Sequence, residues 1–346
     1  KAAQLGLKTV LIEAEQLGGI CLNWGCIPTK SLLKSAELFL QINEASKYGI
    51  SVEGASCDLD KIVERSRKIS KQLSSGISHL LNKNKVEVVN GFANLTGSNS
   101  LEVVSSKDSK TAKITAKNII LATGASPRKI EGFEPDGSRV WNYKDALVPD
   151  NLPNSLAVIG SGAIGIEFAN FYHALGVDVT VIEVMDSIMP AEDKEVSAFA
   201  EKVMAKRGMK FHTATKVVSM RRGKDEVELS LDDGQHQSTI AVSHVITAMG
   251  VVPNSKNIGL EAVGVQLDTG GFIQTNQYCQ TSIPSIYAIG DVAGTPCLAH
   301  KASHEGIIAV EAIVDESRAH VLNKKHIPGC TYCFPQVARV GYKEDE

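Results

Sequence analysis

The chain has no apolar stretch near the length needed to cross a bilayer, and its N-terminus lacks the basic, apolar, small-residue succession of a secretory signal. A soluble protein without a membrane partner is expected. Basic runs dense enough to follow a phosphate backbone are also missing: 36 Lys and Arg are intermixed with 39 Asp and Glu, for a net charge of −3. That argues against nucleic acid and for small, diffusible ligands. Cysteine is scarce, with seven residues, an odd number spread too thinly for a secreted disulfide scaffold. A reducing compartment is expected, and in it a close cysteine pair points to catalysis or metal binding more than to structure. What the chain does have is 346 residues, 43% of them hydrophobic, enough for a sizeable core and two or more folding units.

Local patterns organise the chain. KAAQLG (1–6) reads as the tail of a helix closed by Gly6, and KTVLIE as a buried parallel strand ending at Glu13. A strand and most of a helix are expected to precede Lys1. Residues 29–47 have helical spacing, and Ile62, Ile69, Leu73, Ile77 and Leu80 recur as on a long amphipathic helix over 58–81. VEVVNGFANL, SLEVVSS and AKITAKNIILATG read as strands, the last running out at Gly124, and residues 127–154, with four of the 11 prolines, as a connecting segment. A second alternating unit follows, with a strand at 155–159, a glycine turn at 160–165, a helix to about 175 and a strand at 177–183. Residues 192–208 suggest a helix, 210–249 several strands including a meander broken at RRGKDE and DDGQ, 285–292 (SIYAIGDV) a buried strand and turn, and 302–316 a helix. Two similar βαβ units imply a duplicated nucleotide-binding architecture of the α/β class.

In LAVIGSGAIGIEFA, Gly160, Gly162 and Gly165 form G-x-G-x-x-G between a strand and a helix, with Glu183 at the end of the next strand. The first glycine makes the tight turn, the second admits a pyrophosphate to the backbone, and the third lets helix and strand pack. Glu183 would accept hydrogen bonds from a ribose 2′-hydroxyl and repel a 2′-phosphate, and no Lys or Arg follows it before Lys194. NAD is therefore expected over NADP. The competing reading is a turn that only tightens a strand–helix joint. Glu13 ends its strand as Glu183 does, which implies a second dinucleotide site, and GDV at 290–292 is the kind of strand-end acid that reaches a ribityl or ribose hydroxyl.

Cys21 and Cys26 lie in GGICLNWGCIPTKSLL (18–33). A redox pair, a metal clip and two small core residues are the alternatives. A zinc site needs about four ligands, and the other close pair, Cys330 and Cys333, lies at the far end of the chain; small buried thiols are common in cores. Placement favours redox chemistry, because Gly18, Gly19 and Gly25 allow a tight loop, Pro28 suits a first helical turn, and a helix N-terminus favours a thiolate.

GGICLNWGCIPTK resembles the redox-active disulfide motif of the flavoprotein disulfide reductases, and CLN-x-GC-I-P-x-K with LAHKASHEG is most similar to their dihydrolipoamide dehydrogenase branch. The likeness is co-linear over nearly all of the chain and includes LATGASPR (121–128), VIGSGAIGIEFA (158–169), AMGVVPN (248–254) and IYAIGDV (286–292). It implies an α/β fold with two Rossmann-like domains: an FAD-binding domain over 1–146 that lacks its first strand and glycine motif, an NAD-binding domain over 147–268, a return to the FAD-binding part over 269–325, and only the start of an α+β dimerisation domain over 326–346. It also implies roles. Cys26 would be the flavin-proximal, charge-transfer thiol, Cys21 the thiol that exchanges with the lipoyl group, and Lys30 and Glu167 an ion pair beside the flavin. Asp291 would hold the ribityl chain and Glu13 the adenosine ribose, with Ala93, Thr123, Gly124, Ala125, Cys297, Leu298, Ala299 and His300 lining the rest of the FAD site. NAD would sit on residues 160–167, with Glu183 at its ribose and Val217 and Gly250 nearby.

Lys30 also fits a solvated helix residue, His300 a hydrogen-bonded wall residue better than a base, and C-T-Y-C (330–333), in an expected strand, a decoy. The family's first FAD strand would precede Lys1, and CFPQVARVGY would be the first strand of its dimerisation domain, whose His–Glu pair has no counterpart here. A chain with those bounds is expected to bind FAD poorly and to turn over little lipoamide. Ile20 and Trp24 vary the motif without supplying chemistry. The activity implied is NAD-dependent oxidation of dihydrolipoyl groups, with a lipoyl domain of a 2-oxoacid dehydrogenase complex as partner, a homodimer in the full-length form, and a bacterial cytoplasm or mitochondrial matrix as location. Another disulfide or mercuric reductase, or an inactive nucleotide-binding fragment, is the alternative; no metal site is expected.

Overall fold

Strand Ser155–Ile159 is the centre of a five-stranded, all-parallel sheet in the computed structural model, which describes residues 1–346. The sheet order is Lys210–His212, Asp178–Ile182, Ser155–Ile159, His244–Thr247, Val140–Trp141. Leu156, Ala157 and Val158 are fully buried, as a strand covered on both faces requires. One face carries helix Ala163–Ala174, whose Ile166, Phe168, Phe171 and Tyr172 enter the main core. The other packs against the meander Lys216–Arg222, Val227–Asp232, Gln237–Val242, in which Val227, Leu229 and Leu231 alternate inward between more exposed neighbours. Helix Lys194–Lys206 starts at Asp193, whose side chain accepts the Glu195 N–H. The segment 127–154 does more than connect: Val140–Trp141 joins the sheet, and Asn142 and Asp145 form a reciprocal capping box on the short helix Tyr143–Leu147. A two-residue strand and a five-residue helix are too short to show periodicity.

These elements belong to one of two compact units, made of residues 20–72, 127–250 and 325–346; the other comprises 1–19, 73–126 and 251–324. In the first, the cysteine stretch is not the loop expected. Helix Gly19–Trp24 carries Cys21, and after Gly25 helix Cys26–Asn43 begins at the second cysteine. A Cβ on Gly25 would lie 3.1 Å from both the Cys21 Cα and the Ile20 carbonyl oxygen, so the absence of a side chain lets the two helices abut. The long helix Leu59–Lys83 is capped by Asp58, whose Oδ1 accepts the Lys61 N–H. Its buried stripe is Val63, Ser66 and Ser70, whereas Leu73 and Leu80 are exposed. Serine is small enough for close helix approach, and the Ser66 hydroxyl is satisfied by the Val63 carbonyl.

In the other unit, Val10–Glu13 pairs in parallel with Glu87–Gly97, which continues antiparallel through Ser100–Ser105 and Thr111–Thr115. AKITAKNIILATG is two strands, not one. Asn99 Nδ2 donates to the carbonyls of Ala116 and Lys117, turning the chain there, and Ile119–Leu121 pairs instead with Ile286–Ala288, in parallel. Helix Ala299–Asp315 covers this region and buries Lys301 and Glu305 along with Ile308 and Ala309. No helix is long and apolar enough to cross a membrane.

Candidate active site

Cys21 and Cys26 are joined as a disulfide, with their Cα atoms 4.6 Å apart. Cys26 is the first residue of an 18-residue helix, so on reduction its sulfur faces the end of the helix dipole that favours an anion. The other five cysteines are free, Cys330 and Cys333 among them: Cys330 sits in strand Gly329–Thr331 and Cys333 is buried. Burial pushes the Cys333 thiol up to about 12, and likewise Cys279 to about 12 and Cys297 to about 11, which leaves those three protonated and weakly reactive at neutral pH.

One turn into the same helix, Lys30 Nζ lies 2.6 Å from Glu167 Oε1. Glu167 projects from the buried helix Ala163–Ala174, and its side chain is 7% exposed against 31% for Lys30. The Tyr332 backbone N–H donates to the same oxygen at 2.9 Å, and Lys30 Nζ stands 4.7 Å from the centre of the Tyr332 ring. Lys30 is therefore paired rather than solvated, and the carboxylate is held from two sides.

The glycine turn has the shape its spacing predicts. A Cβ on Gly160, at φ +99°, would lie 2.4 Å from the Ala248 carbonyl oxygen, and one on Gly165 would lie 2.0 Å from that of Gly160. By contrast nothing stands within 4 Å of a Cβ on Gly162, the residue that precedes the helix. Two glycines are needed by the fold, and the third leaves open space at a helix N-terminus, where a pyrophosphate fits. Glu183 Oε2 accepts from the Ser161 N–H at 2.8 Å and hydroxyl at 2.7 Å, and Oε1 from the Met185 N–H at 3.0 Å. The acid thus braces the turn, with lone-pair capacity left for a ribose hydroxyl. Val217 is half-buried against the meander core, and Gly250, at φ +89°, is exposed with its carbonyl accepting the Arg128 N–H.

In the unit of residues 1–19, 73–126 and 251–324, Asp291 follows the left-handed Gly290 at the end of strand Ile286–Ala288 and is half-buried. Burial raises its pKa, with Lys301 opposing and Glu305 reinforcing the shift. Lys301 is fully buried; its ammonium donates to the Gly290 carbonyl at 3.0 Å and pairs with Glu305, whose Oε2 accepts the Gly290 N–H at 2.6 Å. A half-buried carboxylate that desolvation disfavours suits a hydroxyl-donating ligand such as a ribityl chain. Glu13 is half-buried and caps its own strand end by accepting the Glu15 N–H. Thr123 and Gly124 are tied to Asn254, through the Thr123 hydroxyl to the Asn254 carbonyl and the Asn254 N–H to the Gly124 carbonyl, and Ala125 opens a short strand. Ala93 packs against the core of this unit, while Leu298 precedes helix Ala299–Asp315 and Ala299 and His300 are exposed in its first turn.

The sequence profile of the family described as "Pyridine nucleotide-disulphide oxidoreductase" matches residues 1–306. The chain belongs to this family. Among curated relatives of this oxidoreductase, the dihydrolipoyl dehydrogenase of Rhizobium etli is 48% identical over 362 residues, covering 99% of this chain and 74% of the relative. That of Zymomonas mobilis is 47% identical over 348 residues, covering 100% and 74%. The crystal structure of LpdA from Mycobacterium tuberculosis superposes with a TM-score of 0.92 at 29% identity, covering 99% of this chain and 75% of that one. The family name couples a pyridine nucleotide to a disulphide, and this chain holds an open glycine turn at Gly162 and the Cys21–Cys26 disulfide.

Several residues around the sites escape a reading of the sequence. Lys301 and Glu305 carry a readable signal, a Lys and a Glu four apart in a helix otherwise buried by apolar residues, in the less favourable order for helix stability. Tyr332, Arg65 and Arg67 carry none, because each reaches its partner across at least 34 residues of chain.

Proposed function

We propose that this oxidoreductase is a flavin-dependent dihydrolipoyl dehydrogenase that passes electrons from dihydrolipoyl thiols through Cys21–Cys26 and FAD to NAD⁺. The observation that carries the reading is the Cys21–Cys26 disulfide at the start of a long helix, in a chain whose relatives at 48% and 47% identity bear that name.

A dihydrolipoyl thiolate attacks Cys21, the Cys21–Cys26 bond breaks, and Cys26 leaves as a thiolate favoured by its helix dipole. The second substrate thiol, losing its proton, then displaces Cys21 and closes the lipoyl disulfide. Two electrons have moved from substrate to protein. FAD, when bound, supplies a two-electron carrier able to deliver a hydride to NAD⁺. Asp291 would accept ribityl hydroxyls, with Lys301 and Glu305 gripping the Gly290 backbone beside it. Glu13 would accept the adenosine ribose, and residues 93, 123–125 and 297–300 would complete the FAD site. Gly162 leaves room for the NAD pyrophosphate, Glu183 would take a ribose hydroxyl, and Val217 and Gly250 would stand nearby. Lys30, held by Glu167 and the Tyr332 ring, would present a fixed positive charge to the flavin.

In this reading residues 1–146 and 269–325 serve FAD, 147–268 serve NAD, and 326–346 begin a dimerisation domain. Residues 20–72 nevertheless pack in the unit of the parallel sheet, through Leu32 and Ala36 against the core around helix Ala163–Ala174. The relatives support a lipoyl domain as partner and a homodimer, and their bacterial origin favours the cytoplasm over a mitochondrial matrix. The test is a steady-state assay of the purified protein with dihydrolipoamide and either NAD⁺ or NADP⁺. Slow NADH formation, raised by added FAD and abolished by Cys21→Ser, is expected. A preference for NADP⁺, or turnover that survives loss of Cys21, overturns the proposal.

A further inference from the structure

We infer that Arg67 and Trp24, assisted by Arg65, form a non-covalent splint that keeps Cys21 and Cys26 in closing register once their disulfide is reduced. The inference rests on the reading above only in taking that disulfide to cycle.

Helix Gly19–Trp24 has six residues, too few to be stable alone, and it joins the next helix through Gly25, the most freely rotating residue type. In the oxidised state the Cys21–Cys26 bond fixes it. In the reduced state something else must. The long helix Leu59–Lys83 supplies it from one rigid element. Arg67 Nη1 donates to the Asn23 carbonyl at 2.6 Å, and its guanidinium lies 4.1 Å from the centre of the Trp24 ring, which Lys144 Nζ approaches to 5.5 Å from a separate segment. Asn23 is 5% exposed, so this carbonyl at a helix end has little water to turn to. Two residues before Arg67, Arg65 Nη1 donates to the Ser31 hydroxyl at 2.7 Å and carbonyl at 3.2 Å, on the helix that Cys26 begins. One helix thus grips both cysteine-bearing helices, and none of these contacts uses a sulfur. They survive two-electron reduction unchanged. Trp24, silent in the chemistry, supplies the flat face on which the arginine stacks.

A splint of this kind raises the effective concentration of one thiol at the other and so favours the closed disulfide. Its removal gives the reduced form freedom that closure must take back. The disulfide then becomes easier to reduce. The experiment equilibrates the intact chain, FAD bound, in glutathione redox buffers, where two glutathione thiols give one glutathione disulfide and the protein dithiol, and counts alkylated Cys21 and Cys26 by mass spectrometry. Arg67→Met and Trp24→Leu are each expected to shift the equilibrium about tenfold toward the dithiol, a potential about 30 mV less negative. The double variant should go little further, since both remove one stack. Trp24→Phe should recover much of the loss. If either truncation fails to fold, Arg67→Lys and Trp24→Phe carry the test with smaller shifts of the same sign. Unchanged equilibria overturn the inference. So does an opposite shift confined to Arg67→Met, which means that Arg67 acts through its charge on a thiolate. Failure of the functional reading looks different: dihydrolipoamide then leaves the wild-type disulfide intact.

Discussion

Removing Lys30 should destabilise the protein more than removing the charge of Glu167, although both changes break the same 2.6 Å ion pair. What matters is what stays behind. Lys30→Met strands a carboxylate whose side chain is 7% exposed, left with the Tyr332 N–H alone. Breaking a buried pair from that side costs about 3 kcal/mol. Glu167→Gln strands an ammonium that is 31% exposed, can turn to water and keeps the Tyr332 ring, while the new amide oxygen still accepts the Tyr332 N–H. That change costs about 1 kcal/mol. The difference of about 2 kcal/mol is roughly 30-fold in the folding equilibrium. Both tryptophans, Trp24 and Trp141, lie in the unit that holds this pair, so the fluorescence midpoint in urea reports its unfolding directly. Adding Glu167→Gln to Lys30→Met should restore stability toward that of the single Glu167 variant. If Glu167→Gln proves as costly as Lys30→Met, or if the double variant is the weakest, the argument from stranded charge is wrong.

Three further outcomes separate folding from binding. Gly165→Ala, which drives a methyl to 2.0 Å from the Gly160 carbonyl oxygen, should destabilise by about 2 kcal/mol or more, whereas Gly162→Ala, with nothing within 4 Å, should leave the melting temperature nearly unchanged and weaken NADH at least tenfold by fluorescence titration; equal NADH affinity would remove Gly162 from the site. Asp291 has a raised pKa, chiefly from burial, so its charged form opposes folding above the unfolded value, a penalty relieved as pH falls through the folded one. Asp291→Asn should therefore make the flavin-free protein more stable at pH 7 while FAD dissociates more readily in ultrafiltration. Asp136 is pulled upward by burial, but the N–H groups of Val140, Ser138 and Arg139, with Arg222, win and hold its pKa down. Its stabilising contribution is present above an unfolded value of about 3.9 and is lost as pH falls through the lower folded one. Asp136→Asn should thus lower the urea midpoint at pH 6, by an amount that shrinks as the pH falls below the unfolded value.

The parallel sheet, the glycine turn and the meander were legible because each is written in adjacent residues. Apolar runs mark covered strands, G-x-G-x-x-G marks a turn whose two crowded positions admit no side chain, and DDGQ marks a hairpin. Patterning failed where a side chain distant along the chain intervenes. Asn99 breaks one apparent strand into two by capturing the Ala116 and Lys117 carbonyls, and the serines of the long helix lie inward where its leucines were expected to. The cysteine stretch reads as a loop because three glycines, Gly18, Gly19 and Gly25, and a short span resemble one, yet helical hydrogen bonding runs up to Trp24 and resumes at Cys26.

By itself the sequence determined that two sulfurs stand five residues apart where a helix begins, and that a dinucleotide-shaped turn follows a buried strand. Both are consequences of short-range stereochemistry. Only the tertiary structure decided what surrounds them: Tyr332 on Glu167 from 165 residues away, Glu183 folded back on Ser161, Arg67 on Asn23 across 44 residues, Lys301 beneath Gly290. Those partners are set by the path of the chain, because a buried charge or carbonyl must find its complement wherever packing places one, and adjacency in sequence carries no record of it.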